Sequence, residues 1–212
     1  MKSTIEIFKY IVEEIHSTIG ATVDNKNLPV TCAINIMDYD ETGIYFSISK
    51  GMLFYEILKN KKYLSLTAAN GKDIKDVVYI NISGDVEEVN KSKRDLILKR
   101  NDYIKRIYPT EKSRMNLTIF KIVKGKGEWI DLRYNPIERY EFSFGGEKIE
   151  KKGYFITAKC LNCGRCREIC PQGCIDVEKF DDINQSTINH INCINCGNCA
   201  EICPVEAILK RI

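Results

Sequence analysis

Cysteine is the residue type that sets the possible chemistry of this chain, and it is concentrated. Nine of the ten cysteines in 212 residues lie between Cys160 and Cys203, and only Cys32 lies outside. Eight of them form two copies of one pattern. The first is Cys160-x-x-Cys163-x-x-Cys166-x-x-x-Cys170-Pro171, and the second is Cys193-x-x-Cys196-x-x-Cys199-x-x-x-Cys203-Pro204. The offset is 33 residues, and the flanking text repeats as well, "CLNCGRCREICP" against "CINCGNCAEICP". Three cysteines at two-residue gaps let a tight loop wrap one face of an iron–sulfur cube, with backbone N–H groups aimed at the sulfurs. Gly164 and Gly197 supply the backbone freedom. The fourth cysteine is too far round to close the same cube and ligates the other one. The proline after it predicts a helix start there.

The expectation is therefore one [4Fe–4S] cluster on Cys160, Cys163, Cys166 and Cys203, and a second on Cys193, Cys196, Cys199 and Cys170. Zinc fits poorly, because its sites favour paired C-x-x-C knuckles. Disulfides fit poorly too, because so many are rare in a reducing cytoplasm. Residues 154–212 resemble the two-cluster bacterial ferredoxins. Cys174 falls outside the eight. In the repeat it aligns with Ala207, "CPQGCI" against "CPVEAI", so it is read as a small buried residue beside a cluster.

Charge and hydropathy bound the rest. Net charge is +3, which gives no strong pull toward nucleic acid or an anionic membrane. No stretch approaches the roughly 18 apolar residues of a membrane span, and the N-terminus lacks a signal-peptide core. A cytoplasmic protein is expected. Residues 154–212 carry six Lys/Arg against seven Asp/Glu, and the thiolates of loaded clusters add negative charge. The remaining residues carry the excess of cations, a complementarity that favours docking within the chain or between subunits.

Two domains are expected, 1–150 and 151–212. In the first, Ile5, Phe8, Val12, Ile15 and Ile19 predict an amphipathic helix over 4–19. Strands follow at "GATVD", "PVTCAINIMD" and "IYFSIS", with a turn at "YDETG". A short helix is expected at 51–59, then strands at "YLSLTAAN" and "DVVYINISGDVEEV" and a basic helix over "NKSKRDLILKRNDYIKRIY". A hairpin turning at Lys124–Gly127 is expected in "NLTIFKIVKGKGEWIDLR". Many antiparallel strands with few helices predict a small barrel. The fold class is α+β, an N-terminal antiparallel split β-barrel with flanking helices ahead of a small ferredoxin domain.

The order "ATVDNKNLPVTCAINIMDYDETGIYFSISKGMLFYEILKNKKYLSL" resembles the FMN-binding split barrel of the pyridoxamine 5'-phosphate oxidase-like family, over roughly residues 1–145. The resemblance implies a homodimer through the barrel with FMN at the subunit interface. It implies a phosphate grip from the strand Pro29–Met37 and the segment Ser47–Phe54. Here the family's basic positions fall on Cys32 and Met37, and its Ser-Arg-Lys segment falls on Met52, Leu53 and Phe54. What remains for FMN is Thr31, Ser47, Ser49, Lys50 and Gly51, with the start of the following helix as an anion site. The lost basic residues argue against true pyridoxamine-phosphate oxidase activity. No acid/base residue stands out, so the catalytic groups and the substrate are left open.

The reading is an oxidoreductase that passes electrons between two clusters and FMN, and on to a small acceptor or redox partner protein. The alternative is a ferredoxin-type carrier whose barrel only dimerises or docks. Cys32 is expected in the core and Trp129 in the core or a dimer interface. His16 is expected in solvent and His190 in packing. The Lys/Arg set of 91–106 is expected as a solvated face or a dock for an acidic partner.

Overall fold

The computed structural model describes residues 1–150, 152–180 and 183–211. By backbone proximity the chain falls into two units. One comprises Met1–Gly71, Tyr79–Glu128 and Glu141–Lys148, and the other Lys72–Val78, Trp129–Tyr140 and Ile149–Ile212.

The N-terminal helix is shorter than its periodicity predicts. α1 (Thr4–Tyr10) starts on a capping box of Ser3 and Glu6. It runs into a π-helical turn, Ile11–Ile15, which ends at His16 with φ 62°. The chain is already extended at Ser17, so Ile19 belongs to a strand. The π turn shifts the buried stripe to Ile7, Phe8 and Ile11, each fully buried, and Phe8 meets Phe144 edge-on at 5.0 Å.

The strands are β1 (Ser17–Val23), β2 (Pro29–Asp40) and β3 (Gly43–Ser49), then α2 (Leu53–Lys61), β4 (Tyr63–Asn70) and β5 (Val78–Glu88). Next come α3 (Lys91–Arg100), α4 (Ile104–Ile107), α5 (Glu111–Arg114), β6 (Leu117–Asp131) and β7 (Glu138–Phe144). Their order is β3-β2-β1-β4-β5-β6-β7, and β3 also pairs with β6 from Ile44↔Ile122 to Ser49↔Leu117. That last pairing closes a six-stranded antiparallel barrel, with β7 as a further strand on β6. Alternation fills the interior with Ile34, Ile36, Ile44, Phe46, Ile48, Leu64, Leu66, Ile80, Ile82, Phe120 and Ile122. Each such side chain contributes about 1.5–3 kcal/mol on burial.

The basic helix expected over 90–108 is broken. The Asn101 side chain donates to the carbonyls of Ile97 and Met37, and α3 ends there. Ile97, Leu98 and Ile104 then pack with Met37, Tyr45, Leu117 and Ile119. The hairpin expected at Lys124–Gly127 is absent, because β6 runs unbroken through it. The glycines there serve close approach. A Cβ on Gly125 would lie 2.5 Å from the Ser83 carbonyl oxygen, and one on Gly84 would lie 2.2 Å from that of Lys124. The reversal comes later, between β6 and β7.

In the second unit β8 (Gly153–Ile156) is followed by α6 (Arg165–Ile169), β9 (Ile175–Phe180), β10 (Ile183–Ile188), α7 (Asn198–Glu201) and β11 (Ile208–Arg211). β8 pairs with β11 and β9 with β10, both antiparallel. Cys166, Ile175, Cys199 and Ile208 form the core, with Tyr154, Ile156 and Ile188 against it.

Gly84→Val should lower stability by about 1–3 kcal/mol or more, since the added side chain meets backbone. Chemical denaturation followed by circular dichroism checks this, and an unchanged midpoint contradicts the tight β5–β6 seam.

Candidate functional site

Each cysteine run wraps a cavity through a left-handed residue and a left-handed glycine. Asn162 and Asn195 have φ 54° and 56°, and Gly164 and Gly197 have φ 80° and 90°. Those turns bring the backbone N–H of Asn162 to Cys160 Sγ at 3.3 Å and that of Asn195 to Cys193 Sγ at 3.4 Å. A short helix follows in each copy, α6 or α7. The helix start expected at the fourth cysteine is not found. Cys170 caps the end of α6, and Cys203 follows α7. Pro171 and Pro204 stand in turns, where proline prevents the helix from continuing.

The structure sorts the thiols crosswise. One cavity is lined by Cys160, Cys163, Cys166 and Cys203, with Ser186 and Ile208. The other is lined by Cys170, Cys193, Cys196 and Cys199, with Cys174 and Tyr154. Burial and the neighbouring Cys193 push the Cys199 thiol up to about 11. Burial and Cys160 likewise raise Cys166. Binding iron here must therefore expel protons from thiols that hold them firmly.

Cys174 lies 3.5 Å, sulfur to sulfur, from Cys170. Burial pushes both thiols up, but the two separate. Cys170 ends below an ordinary thiol, because N–H groups of Cys174, Gln172 and Gly173 and the Cys174 thiol point at its sulfur. Cys174 ends far above, through burial and the same bond seen from the donor side. Cys170 is thus the sulfur of the pair on which the local N–H groups converge. The second repeat has the same backbone contact, Ala207 N–H to Cys203 Sγ at 3.2 Å. Cys174 and Ala207 are equally enclosed, at 4% and 0% exposure.

On the barrel, Ser47, Ser49, Lys50 and Gly51 form the end of β3 and the turn into α2. Ser47 and Ser49 share one face of β3 and are half-buried, opposite Phe46 and Ile48 in the interior. The first N–H groups of a helix have no intrahelical acceptor, and no side chain caps α2 among the described residues. A Cβ on Gly51 would meet nothing within 4 Å, so the turn is open to a ligand. These donors fit a phosphate. One feature opposes it, since Lys50 Nζ pairs with Glu88 at 3.6 Å. Partial burial pushes the Glu88 carboxyl up, but the Thr118 hydroxyl and Lys50 outweigh it and hold it below the usual range. Thr31 is not joined to this turn. The β2–β3 ladder ends at Asn35↔Ser47, and Thr31 stands four residues beyond, exposed and opposite Ala21 on β1.

The remaining candidates fall into packing roles. Cys32 is half-buried opposite Gly20, and burial raises its thiol. Trp129 is fully buried and stacks on Tyr140 at 6.3 Å. His16 is exposed, and His190 lies 4.8 Å from the Phe155 ring. The cations of 91–106 line part of a groove of about 940 Å³, with Lys91, Arg94, Lys99 and Lys105 joined by Lys112 and Arg114. Sequence reasoning passed over Glu88, Asn162 and Asn195. The asparagines were visible as a repeat, both two residues after the first cysteine of their runs.

Residues 159–207 match the family model of the 4Fe-4S dicluster domain. The chain thus carries a two-cluster iron–sulfur domain, and the part ahead of it has the fold of the pyridoxamine phosphate oxidase-like split barrels. A NimC/NimA family protein from Clostridium acetobutylicum superposes with TM-score 0.52 at 16% identity, covering 66% of this chain and 89% of that one. A protein of the same organism, related to general stress protein 26 of B. subtilis and described as of the pyridoxinephosphate oxidase family, gives 0.52 at 16% identity over 65% and 92%. PhzG from Burkholderia lata, in complex with tetrahydrophenazine-1-carboxylic acid, gives 0.51 at 13% identity over 68% and 83%. No curated protein matches the chain. Among the described residues no helix is long and apolar enough to cross a membrane.

Cys174→Ala should keep full iron and acid-labile sulfide, since it copies the second repeat. Cys170→Ala should lose the second cluster or leave it oxygen-labile. Iron analysis with electron paramagnetic resonance checks both, and loss of a cluster in Cys174→Ala overturns the assignment.

Proposed function

We propose that this protein is an iron–sulfur flavoprotein that moves electrons between two [4Fe–4S] clusters and FMN, and on to a small acceptor or a redox partner. The observation that carries the reading is the crosswise sorting of eight thiols round two cavities, in a chain that also has a flavin-type barrel fold. Cys160, Cys163, Cys166 and Cys203 hold the first cluster, and Cys170, Cys193, Cys196 and Cys199 the second. Bound FMN accepts electrons singly or in pairs, which joins one-electron clusters to a two-electron acceptor. Ser47, Ser49, Lys50 and the N–H groups at the start of α2 hold its phosphate. Glu88 competes for Lys50 and keeps that grip weaker than a cluster of basic residues.

The outer face of the barrel supports a homodimer. On β2, β1 and β4 it presents Thr31 and Ala33, then Ile19, Ala21 and Val23, then Ser65, Thr67 and Ala69. None of these is charged, and Ile19 is 53% exposed and Val23 40%. A neutral sheet face of small and apolar residues is suited to a second copy and poorly suited to water. Thr31 stands on it, which agrees with a flavin site completed across the dimer.

The second reading is a ferredoxin-type carrier whose barrel binds no flavin. The Lys50–Glu88 pair favours it. The readings separate on anaerobic purification. The first requires flavin absorption that bleaches together with the broad iron–sulfur band, and its absence, with no affinity for added FMN, sinks that reading. Lys50→Ala should weaken FMN by about tenfold, the scale of one charge-assisted hydrogen bond, while Glu88→Gln should strengthen it. Ile19→Asp should sediment as a monomer where the unaltered protein sediments as a dimer, and an unchanged sedimentation coefficient excludes this face as the interface.

A further inference from the structure

The two cluster loops are near copies, but what holds them differs. In each, an asparagine follows the first cysteine by two residues and gives its backbone N–H to that sulfur. In the first loop the Ser186 hydroxyl donates to Asn162 Oδ1 at 2.7 Å, and Ser186 is 2% exposed. In the second loop the corresponding partner is Arg139, on β7. The amide orientation of Asn195 that satisfies its neighbours has Oδ1 accepting from Arg139 Nη1 at 3.0 Å and from Nη2 at 3.3 Å. The other amide position, 3.6 Å from Cys193 Sγ, is then an N–H donor aimed at a ligand sulfur.

Arg139 is bound to this loop at further points. Its Nη1 also donates to the Cys193 carbonyl at 3.0 Å, and its backbone N–H to that of Ile191 at 2.6 Å. The neighbouring Ile137 accepts from the Asn192 amide at 2.7 Å and donates to Gln172 Oε1 at 3.0 Å. The half-buried guanidinium is thus fixed beside the second cluster, on both its backbone and its asparagine. The first cavity has Arg165 on its rim, but that side chain is exposed and its charge is screened by water.

Cluster potentials rise with hydrogen bonds to the sulfurs and with nearby positive charge, since both favour the more negative reduced state. We infer that the two clusters work at different potentials, the one on Cys170, Cys193, Cys196 and Cys199 being the higher, and that Arg139 is the positioning residue that sets the difference. One electron then passes from the reduced first cluster to the oxidised second, with no bond made or broken. The second cluster is where charge collects.

The inference rests only on the cluster half of the proposed function and holds whether or not flavin is bound. Its test uses the full-length holoprotein under anaerobic conditions. Iron and sulfide content first establishes that both clusters are present. Titration of the two clusters by electron paramagnetic resonance then reads their potentials. Arg139→Gln should lower the higher potential alone, by about the tenfold change in the inter-cluster equilibrium that corresponds to about 59 mV for one electron. Arg139→Lys should keep part of the difference. Ser186→Ala should move only the lower potential. Should Arg139→Gln fail to load, Asn195→Ala keeps the test, since losing the N–H···S contact must lower the same wave. Equal potentials in the unaltered protein, or a substitution at 139 or 195 that moves neither wave or both equally, overturns the inference.

Discussion

The structure depends on a constraint of reach. Three cysteines on one tight loop can cover one face of a cube, and the fourth ligand has to come from elsewhere. In this chain the fourth thiol lining each cavity comes from the other copy of the repeat. Cys170 follows the first loop but lies in the cavity of the second, and Cys203 does the reverse. Neither half-repeat can complete a site alone, so the ordering of β8 against β11 and of α6 against α7 is coupled to gathering the thiols. The apo thiols resist this, because burial and neighbouring sulfurs hold protons on Cys166 and Cys199. Iron has to displace those protons, which makes cluster assembly and folding of this unit one linked equilibrium.

The barrel answers a different constraint. An open sheet leaves two edges, and the pairing of β3 with β6 closes six strands into a barrel, with β7 left as a further strand on β6. Closure needs strands to approach where side chains would collide, and Gly84 and Gly125 meet at such a point. It also leaves an outer face with two characters. Over β2, β3 and β6 the face is covered by α3 and α4, with Tyr45 bonded to Asp40 and flanked by Lys93 and Lys121 at 4.6 and 4.8 Å. Over β2, β1 and β4 it is bare and neutral. The Ser47–Gly51 turn lies at the end of β3, outside the barrel interior, which is filled by side chains.

Most of this architecture was legible from pattern, and the failures share a cause. The cysteine grouping followed from spacing, because ligand geometry is local in sequence. The barrel followed from strand order. What misled were residues with two uses. Gly125 and Gly127 read as a turn, since glycine marks turns, but here they allow close packing inside a long strand. Pro171 and Pro204 read as helix starts, since proline suits that position, but here they stop a helix and turn the chain. Ile15 and Ile19 extended a helical period that a π turn ends. Glu88 carried no signal, because its pairing with Lys50 is fixed only by barrel closure.

The repeat also explains why sequence identity between the two halves is a poor guide to equivalence of the two sites. The loops share their asparagine, their left-handed glycine and their cysteine spacing, so their backbones impose the same first layer of donors on sulfur. The difference enters one layer out, where a neutral hydroxyl on β10 stands in one copy and a guanidinium on β7 in the other. At the 33-residue offset Ser186 corresponds to Gly153 on β8, which has no side chain to offer Asn195, and Arg139 comes from a strand outside the repeat. A duplicated module joined to another strand thereby becomes asymmetric around its two cavities without any change to its cysteine spacing.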